Sequence, residues 1–333
     1  MEWYLPIIWA GVIGTAVAMY VILDGFDLGL GILFPFAGND REREQMMASV
    51  KSFWDGNETW LVLGGGGLLV AFPLAYSIIM PAFYIPITLM LLARVFRGIT
   101  FEFRGLAGGK RKWNFAFFAG STLAALCQGV ILGGMIQGLN IENGAFAGSA
   151  FDWATPFAAV CALGVATGYA LLGATWMIMK TEGAIAERAK RQALFLLPGV
   201  LVFMGIVSLW TPLLMPGIAE RWFSMPNIFY LWPVPVVTAA VAYLGWRGLQ
   251  QGRDALPFIS TIGLFLLGYM GLAISWFPYL VPPSVTVWDA AAAPSSQMFM
   301  LVGTLVLLPF ILGYTALIYW LFRGKVAEGE SYH

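Results

Sequence analysis

The sequence predicts an all-α integral membrane protein of about nine transmembrane helices, with its N-terminus outside and its C-terminus in the cytoplasm. Three observations predict this. Of the 333 residues, 59% are hydrophobic and only 11% charged, against roughly 45–50% and 25% in soluble domains. Apolar stretches recur at about the 20 residues needed to cross the hydrocarbon layer. Finally, Lys and Arg fall in alternate loops, so that of the 18 basic residues all but Arg221 gather on one side, and the positive-inside rule makes that side cytoplasmic.

Helices are expected near 8–33, 58–77, 79–99, 114–138, 156–179, 194–214, 229–247, 256–280 and 297–322. The first is read as a retained helix, because the segment before it carries Glu2 and no Lys or Arg, the wrong flank for a secretory signal. The second and third must be divided, since Leu68 to Met90 is uncharged and one helix of roughly 40 residues would be twice the bilayer thickness. Pro73, Pro81 and Pro86 offer the break. Gly64 to Gly67, Gly129 with Gly133 and Gly134, and Gly164 with Gly168 suit close helix approach in lipid. The eighth and ninth helices meet the outer rim at Trp276-Phe277-Pro278 and Val287-Trp288-Asp289-Ala290, where aromatic anchoring is the default. The longest segment between helices is about 35–57, so 1–333 reads as a single polytopic membrane domain.

A net charge of zero removes nucleic acid and strongly charged partners as classes. Cys127 and Cys161 sit in apolar runs, where a free cysteine packs as a small hydrophobe, and no disulfide is expected. The only histidine is His333, the last residue, so heme, di-iron and most copper sites lack their usual ligand. No cofactor or redox metal is expected to be held by this chain alone.

The chemistry-bearing residues cluster in the early helices. Asp24 and Asp27 are three apart, which puts both on one face of the first helix, toward its cytoplasmic half. A carboxylate in the membrane must face protein, water or a partner charge. Two readings stay open: ion pairs with Arg94 or Arg97, and proton conduction. The expectation is mixed, with Asp27, nearer the rim, the ion-pair partner and Asp24, deeper, the protonatable group. Asp55 and Glu58 open the second helix within Trp54-Asp55-Gly56-Asn57-Glu58-Thr59-Trp60-Leu61. There Asp55 or Asn57 suits an N-terminal cap, the favoured reading because a cap needs only one local partner, and the two carboxylates also suit a relay entering from the cytoplasm. Arg94, Arg97, Glu102 and Arg104 flank the end of the third helix, as snorkelling interfacial charges or as a structural ion-pair set.

Asp24-Gly25-Phe26-Asp27-Leu28-Gly29, then the Trp54 to Leu61 motif, then Phe277-Pro278 with Pro282 and Ser284 ahead of Trp288-Asp289-Ala290 and Ser296, resembles subunit II of the cytochrome bd quinol oxidases. The short connection near 215–228 looks more like the cyanide-insensitive branch. The resemblance implies two four-helix bundles plus one peripheral helix, in a bacterial cytoplasmic membrane. It also implies a partner, subunit I, which carries two b-type hemes and one d-type heme and oxidises quinol while oxygen is reduced to water. A small single-helix accessory subunit and a bound quinone or lipid are further expectations of that family. Carried onto this sequence, it implies a proton path at Asp55 and also Asp24 and Asp27, with Glu58 at a position where the family varies, and an oxygen path near Trp60. The competing reading is an ion-coupled secondary transporter, because buried carboxylates in a glycine-rich bundle also suit coupling-ion sites.

Overall fold

The computed structural model describes residues 2–106 and 109–326; His333 lies outside the described residues. The chain is helical almost throughout: α1 (Leu5–Leu33), α2 (Asp40–Ala48), α3 (Trp54–Ala71), α4 (Pro73–Ala82), α5 (Tyr84–Leu106), α6 (Lys110–Gln137), α7 (Pro156–Lys180), α8 (Gly183–Leu214), α9 (Pro216–Phe223), α10 (Asn227–Leu231), α11 (Pro233–Gln250), α12 (Leu256–Trp276) and α13 (Pro294–Leu321). Two antiparallel hairpins interrupt it, β1 (Ile141–Glu142) with β2 (Ala145–Phe146) and β3 (Tyr279–Val281) with β4 (Val285–Thr286).

Among the described residues, eight helical stretches are long and apolar enough to cross a membrane: α1, α5, α6, α7, α8, α10 with α11, α12 and α13. The remaining expected crossing corresponds to α3, whose polar first turns and four consecutive glycines lower its hydropathy. The expected single break between 77 and 79 is instead two breaks, at Phe72 before Pro73 and at Phe83 before the helix that contains Pro86. Proline has no N–H to continue a helix and restricts the residue before it, so Pro73 ends α3 and starts α4. Pro81, which was expected to help the break, is accommodated inside α4. On the basic side, α8 begins at Gly183, so Arg188, Lys190 and Arg191 ride on a helix rather than in a loop.

The connections gather at two ends. At the basic end, Arg188 of α8 pairs with Glu42 of α2 at 3.2 Å, Arg104 pairs with Asp40, and Lys325 meets Glu182 at 3.2 Å and Asp254 at 2.8 Å. At the hairpin end, the Leu139 amide donates to the Pro282 carbonyl at 3.2 Å, the Ala292 amide to that of Ala71 at 2.9 Å, and Trp3 stacks on Trp288. Between the ends, α1 and α7 touch backbone to backbone. A Cβ on Gly29 would lie 1.8 Å from the Tyr169 carbonyl oxygen, and one on Gly133 2.5 Å from the Ala158 Cα. The glycines of α6 therefore act as expected, whereas Gly65 and Gly66 of α3 face nothing within 4 Å.

The main core lies toward the basic end, where Phe26, Leu28, Leu30, Phe34, Met47, Phe117 and Trp176 are buried together. The last helix is different. Of α13 only Gln297 is buried; its amide donates to the Ala71 carbonyl at 3.0 Å while its carbonyl accepts from the Trp9 indole at 3.1 Å. At the other end Lys180 donates to the carbonyls of Phe322 and Gly324, and Tyr319 stacks on Phe53 with ring centroids 4.6 Å apart.

Candidate functional site

Three helices each bring polar side chains to one buried place. α1 supplies Asp24 and Asp27, both fully buried; α3 supplies Asn57 and Glu58; α5 supplies Arg94 and Arg97, again three apart and therefore on one face. Asp24 is the most tightly paired: its two oxygens lie 2.8 Å from Arg94 Nη1 and 2.9 Å from Arg97 Nη1. Glu58 Oε1 takes the same two guanidinium groups from the other side, at 3.1 and 3.0 Å. Asp27 stands apart, 3.8 Å from Arg97 Nη2. What it holds closely is Asn57, whose Nδ2 donates to Asp27 Oδ2 at 2.8 Å and to the Leu23 carbonyl at 3.2 Å. Asn57 Oδ1 in turn accepts from the Tyr319 hydroxyl at 2.9 Å.

The network continues away from the carboxylates. Arg94 donates to the Tyr20 hydroxyl, which also accepts from Gln128 Nε2 at 2.7 Å, and Gln128 Oε1 accepts from Tyr169 at 2.6 Å. Fully ionised, the site holds three carboxylates against two guanidinium groups, one negative charge in excess. That imbalance sits where charges are weakly screened. Among the described residues, Asp27 Oδ1, Arg97 Nε and Arg97 Nη2 are buried without a hydrogen-bond partner. Binding one proton on Asp27 balances the charge, and losing it restores the excess; this is the chemistry that the arrangement allows.

The sequence-derived assignments fare unevenly. The structure brings Asp24, Asp27, Glu58, Arg94 and Arg97 together, but its ion pairing runs opposite to the expected one: Asp24 is bridged by both arginines and Asp27 is half-satisfied. The reason is that the arginines approach from the side of Asp24, while Asn57 fills the position beside Asp27. Neither Asp55 nor Asn57 caps α3. The cap position is Phe53, with no side-chain cap bond, so Asp55 is the second helical residue and is exposed. Glu102 is exposed and forms no ion pair among the described residues, which corrects its expected role. Its neighbour Arg104 is buried instead, where it pairs with Asp40 and donates to Asn114 at 2.7 Å. Trp60 is buried beside Ala16 and Tyr20, with its indole N–H unpaired.

Sequence reasoning did not find Tyr20, Gln128, Tyr169 and Tyr319. Tyr20 was within reach, one turn before Asp24 on the same face, and Gln128 is an amide inside an otherwise apolar helix. Nothing local marks Tyr319, which meets Asn57 across 262 residues.

At the basic end a second charged group holds α2. Asp40 meets Arg104 and, at 2.8 Å, Lys110; Lys110 also reaches Glu44 at 2.9 Å. Partial burial raises the Asp40 carboxyl, yet the Lys110 hydrogen bond and the Arg104 charge outweigh it and hold the group below its ordinary value.

A helical membrane-embedded chain with paired arginines and surplus carboxylate in its interior belongs to the class of multi-pass proteins with an ionisable intramembrane site. The particular family is narrower: a profile for cytochrome bd terminal oxidase subunit II matches residues 5–322, and the chain belongs to that family. It is similar to the cytochrome bd-I ubiquinol oxidase subunit 2 of Escherichia coli (strain K12), 29% identical over 365 residues that cover 98% of this chain and 96% of the relative. The cytochrome bd ubiquinol oxidase subunit 2 of Bacillus subtilis (strain 168) is 26% identical, with 97% of each chain covered. Among solved structures, the fold is similar to that of the bd oxidase from Geobacillus thermodenitrificans, with a TM-score of 0.73 and 19% identity over 96% of this chain and 98% of the other.

Proposed function

We propose that this chain is the heme-free second subunit of a quinol oxidase in a bacterial cytoplasmic membrane, and that its buried carboxylates carry protons from the cytoplasm toward a heme-bearing subunit I. In this reading α3 is the ninth crossing, the N-terminus lies outside, the basic end is cytoplasmic, and two four-helix bundles are flanked by α13. Family membership decides between the oxidase and the secondary transporter.

The observation that carries the proton reading is the surplus negative charge shared by Asp24, Asp27 and Glu58 around Arg94 and Arg97. Asp55, exposed at the start of α3, is the entry group. Glu58, partly exposed and one turn further along, is the intermediate. Asp27, with one oxygen unpartnered, is the group that holds the proton. Asp24 then fixes the arginines. Trp60, packed among Ala16, Leu61, Leu63 and Leu308, lines the apolar route for oxygen.

The donor set of this chain supports the heme-free reading. Heme iron is held by His, Cys, Met or Tyr, and no histidine is found among the described residues. Cys127 and Cys161 are free and buried among apolar side chains. No group of three His, Cys, Asp or Glu side chains among the described residues could hold a metal. Oxygen reduction is the chemistry that hemes of the partner subunit supply.

The test is a dithionite-reduced spectrum of the complex purified through this chain. Heme bands with a co-purifying second subunit are expected; a colourless, self-sufficient protein overturns the assignment. For the proton reading, Asp27→Asn is expected to keep heme content and lower turnover, and full turnover overturns it.

A further inference from the structure

We infer that Asn57 and Tyr319 are positioning residues for Asp27: the hydroxyl of Tyr319 on the last helix locks the Asn57 amide in one orientation, and that orientation decides which oxygen of Asp27 exchanges a proton. The inference rests on the proton-carrying role of Asp27 given above.

The orientation of the amide follows from its neighbours. Nδ2 has two hydrogens, and two acceptors face it, the Leu23 carbonyl at 3.2 Å and Asp27 Oδ2 at 2.8 Å. The flipped amide would aim its oxygen at both acceptors and leave two unmade bonds in a buried site. Tyr319 closes the argument from the far side by donating to Oδ1 at 2.9 Å. With all three positions taken, Asn57 is a fixed donor to Oδ2, so Oδ2 is the acceptor and Oδ1, which has no partner, is the oxygen that binds the proton.

The charged and titratable groups around Asp27 come from every side. They are Asp24 on its own helix, Glu58 on α3, Arg97 on α5 with Arg94 behind it on Asp24, and Tyr319 on α13. On α7, Tyr169 lies against Gly25 and bonds Gln128 of α6, and Lys180 is occupied by the carbonyls of Phe322 and Gly324. Among the described residues, only Asn57 hydrogen-bonds the Asp27 side chain. A change at Tyr319 therefore reaches the carboxyl through a single hydrogen bond, with the other charges unchanged.

The sign follows. Without the Tyr319 hydroxyl the amide loses its third anchor, its bond to ionised Asp27 loosens, and the proton is held to higher pH. In the heme-loaded complex, Tyr319→Phe keeps the ring that stacks on Phe53 and is expected to move the alkaline limb of quinol-dependent oxygen consumption upward. The expected shift is about one pH unit, the effect of one hydrogen bond to a charged group. Asn57→Ser, too short to reach Asp27, is expected to move the limb the same way, and the double variant no further than Asn57→Ser alone, since both act through one bond. If Tyr319→Phe lowers heme content, Asn57→Ser carries the same measurement. An unmoved limb in the loaded variants, with turnover still lost in Asp27→Asn, overturns the positioning role and leaves the proton path standing. Full turnover in Asp27→Asn overturns the proton path itself.

Discussion

Arg97 is the most consequential single side chain of the buried site, because all three carboxylates converge on it, at 2.9 Å for Asp24, 3.0 Å for Glu58 and 3.8 Å for Asp27. Arg97→Met keeps most of the length and removes the charge, which leaves three carboxylates facing Arg94 alone. Breaking a buried pair on one side costs about 3–5 kcal/mol, or at least a hundredfold in the folded-to-unfolded ratio, taking about 1.4 kcal/mol per tenfold. The yield of heme-loaded complex should collapse. Adding Asp24→Asn to Arg97→Met removes the most closely held carboxylate and returns the site to one surplus charge, as in the parent. The double variant should recover much of the lost yield, with a coupling of about 1–3 kcal/mol. The assay is heme content per unit of this chain in detergent extracts, together with the melting temperature of the complex, across the four members of the cycle. Parent-like yield in Arg97→Met, or a double variant as poor as the sum of the singles, would refute the shared-charge argument.

Three other outcomes follow from the same geometry. Asp55→Asn should leave heme content at the parent level, since Asp55 is exposed and caps nothing, while oxygen consumption falls several-fold; parent-level turnover removes Asp55 from the path. Gly29→Ala should abolish assembly, because its Cβ would meet the Tyr169 carbonyl oxygen at 1.8 Å, whereas Gly205→Ala, with nothing within 4 Å, should be tolerated or gain up to ~1 kcal/mol of helix stability; extraction yield reads both. The contribution of Asp40 to holding α2 should be fully present above the ordinary carboxylate value of 3.8 and be lost as pH falls through its depressed folded value, seen as faster hydrogen exchange over 40–48 at the acid end.

Much of the fold is legible in the sequence because lipid imposes a simple rule, that backbone polar groups be satisfied inside each crossing. Long apolar runs and the placement of Arg104, Lys110, Arg188 and Lys325 are therefore enough to find the helices and their common basic end. The breaks at Phe72 and Phe83 were misplaced because α4 is only ten residues long, and its apolar sequence reads as part of a crossing although it lies beside the hairpins. For the site, spacing by three revealed the pairs Asp24 with Asp27 and Arg94 with Arg97. It did not reveal which aspartate the arginines bridge, because that depends on the rotation of α5 against α1. Asn57 looked like a cap because a polar residue near a helix start usually serves its own backbone; here it serves a neighbour 30 residues away. Glu102 misled in the opposite sense, since a charge beside buried arginines turned out to lie on the outward face of α5.

The last helix is fastened near both ends and almost bare between them, by Gln297 at one end and by Tyr319 and Lys180 at the other. Such a helix is a ruler, and its register is counted in residues. Gln297 and Tyr319 are separated by 22 positions, about six turns, which brings them within about 40° of each other around the axis. A single residue added among the exposed Leu305, Val306 and Leu307 would touch no packed side chain, yet it would swing Tyr319 by about 100° and displace it by about 1.5 Å. The least buried of the apolar crossings is thus intolerant of a change in length while being indifferent to a change in identity.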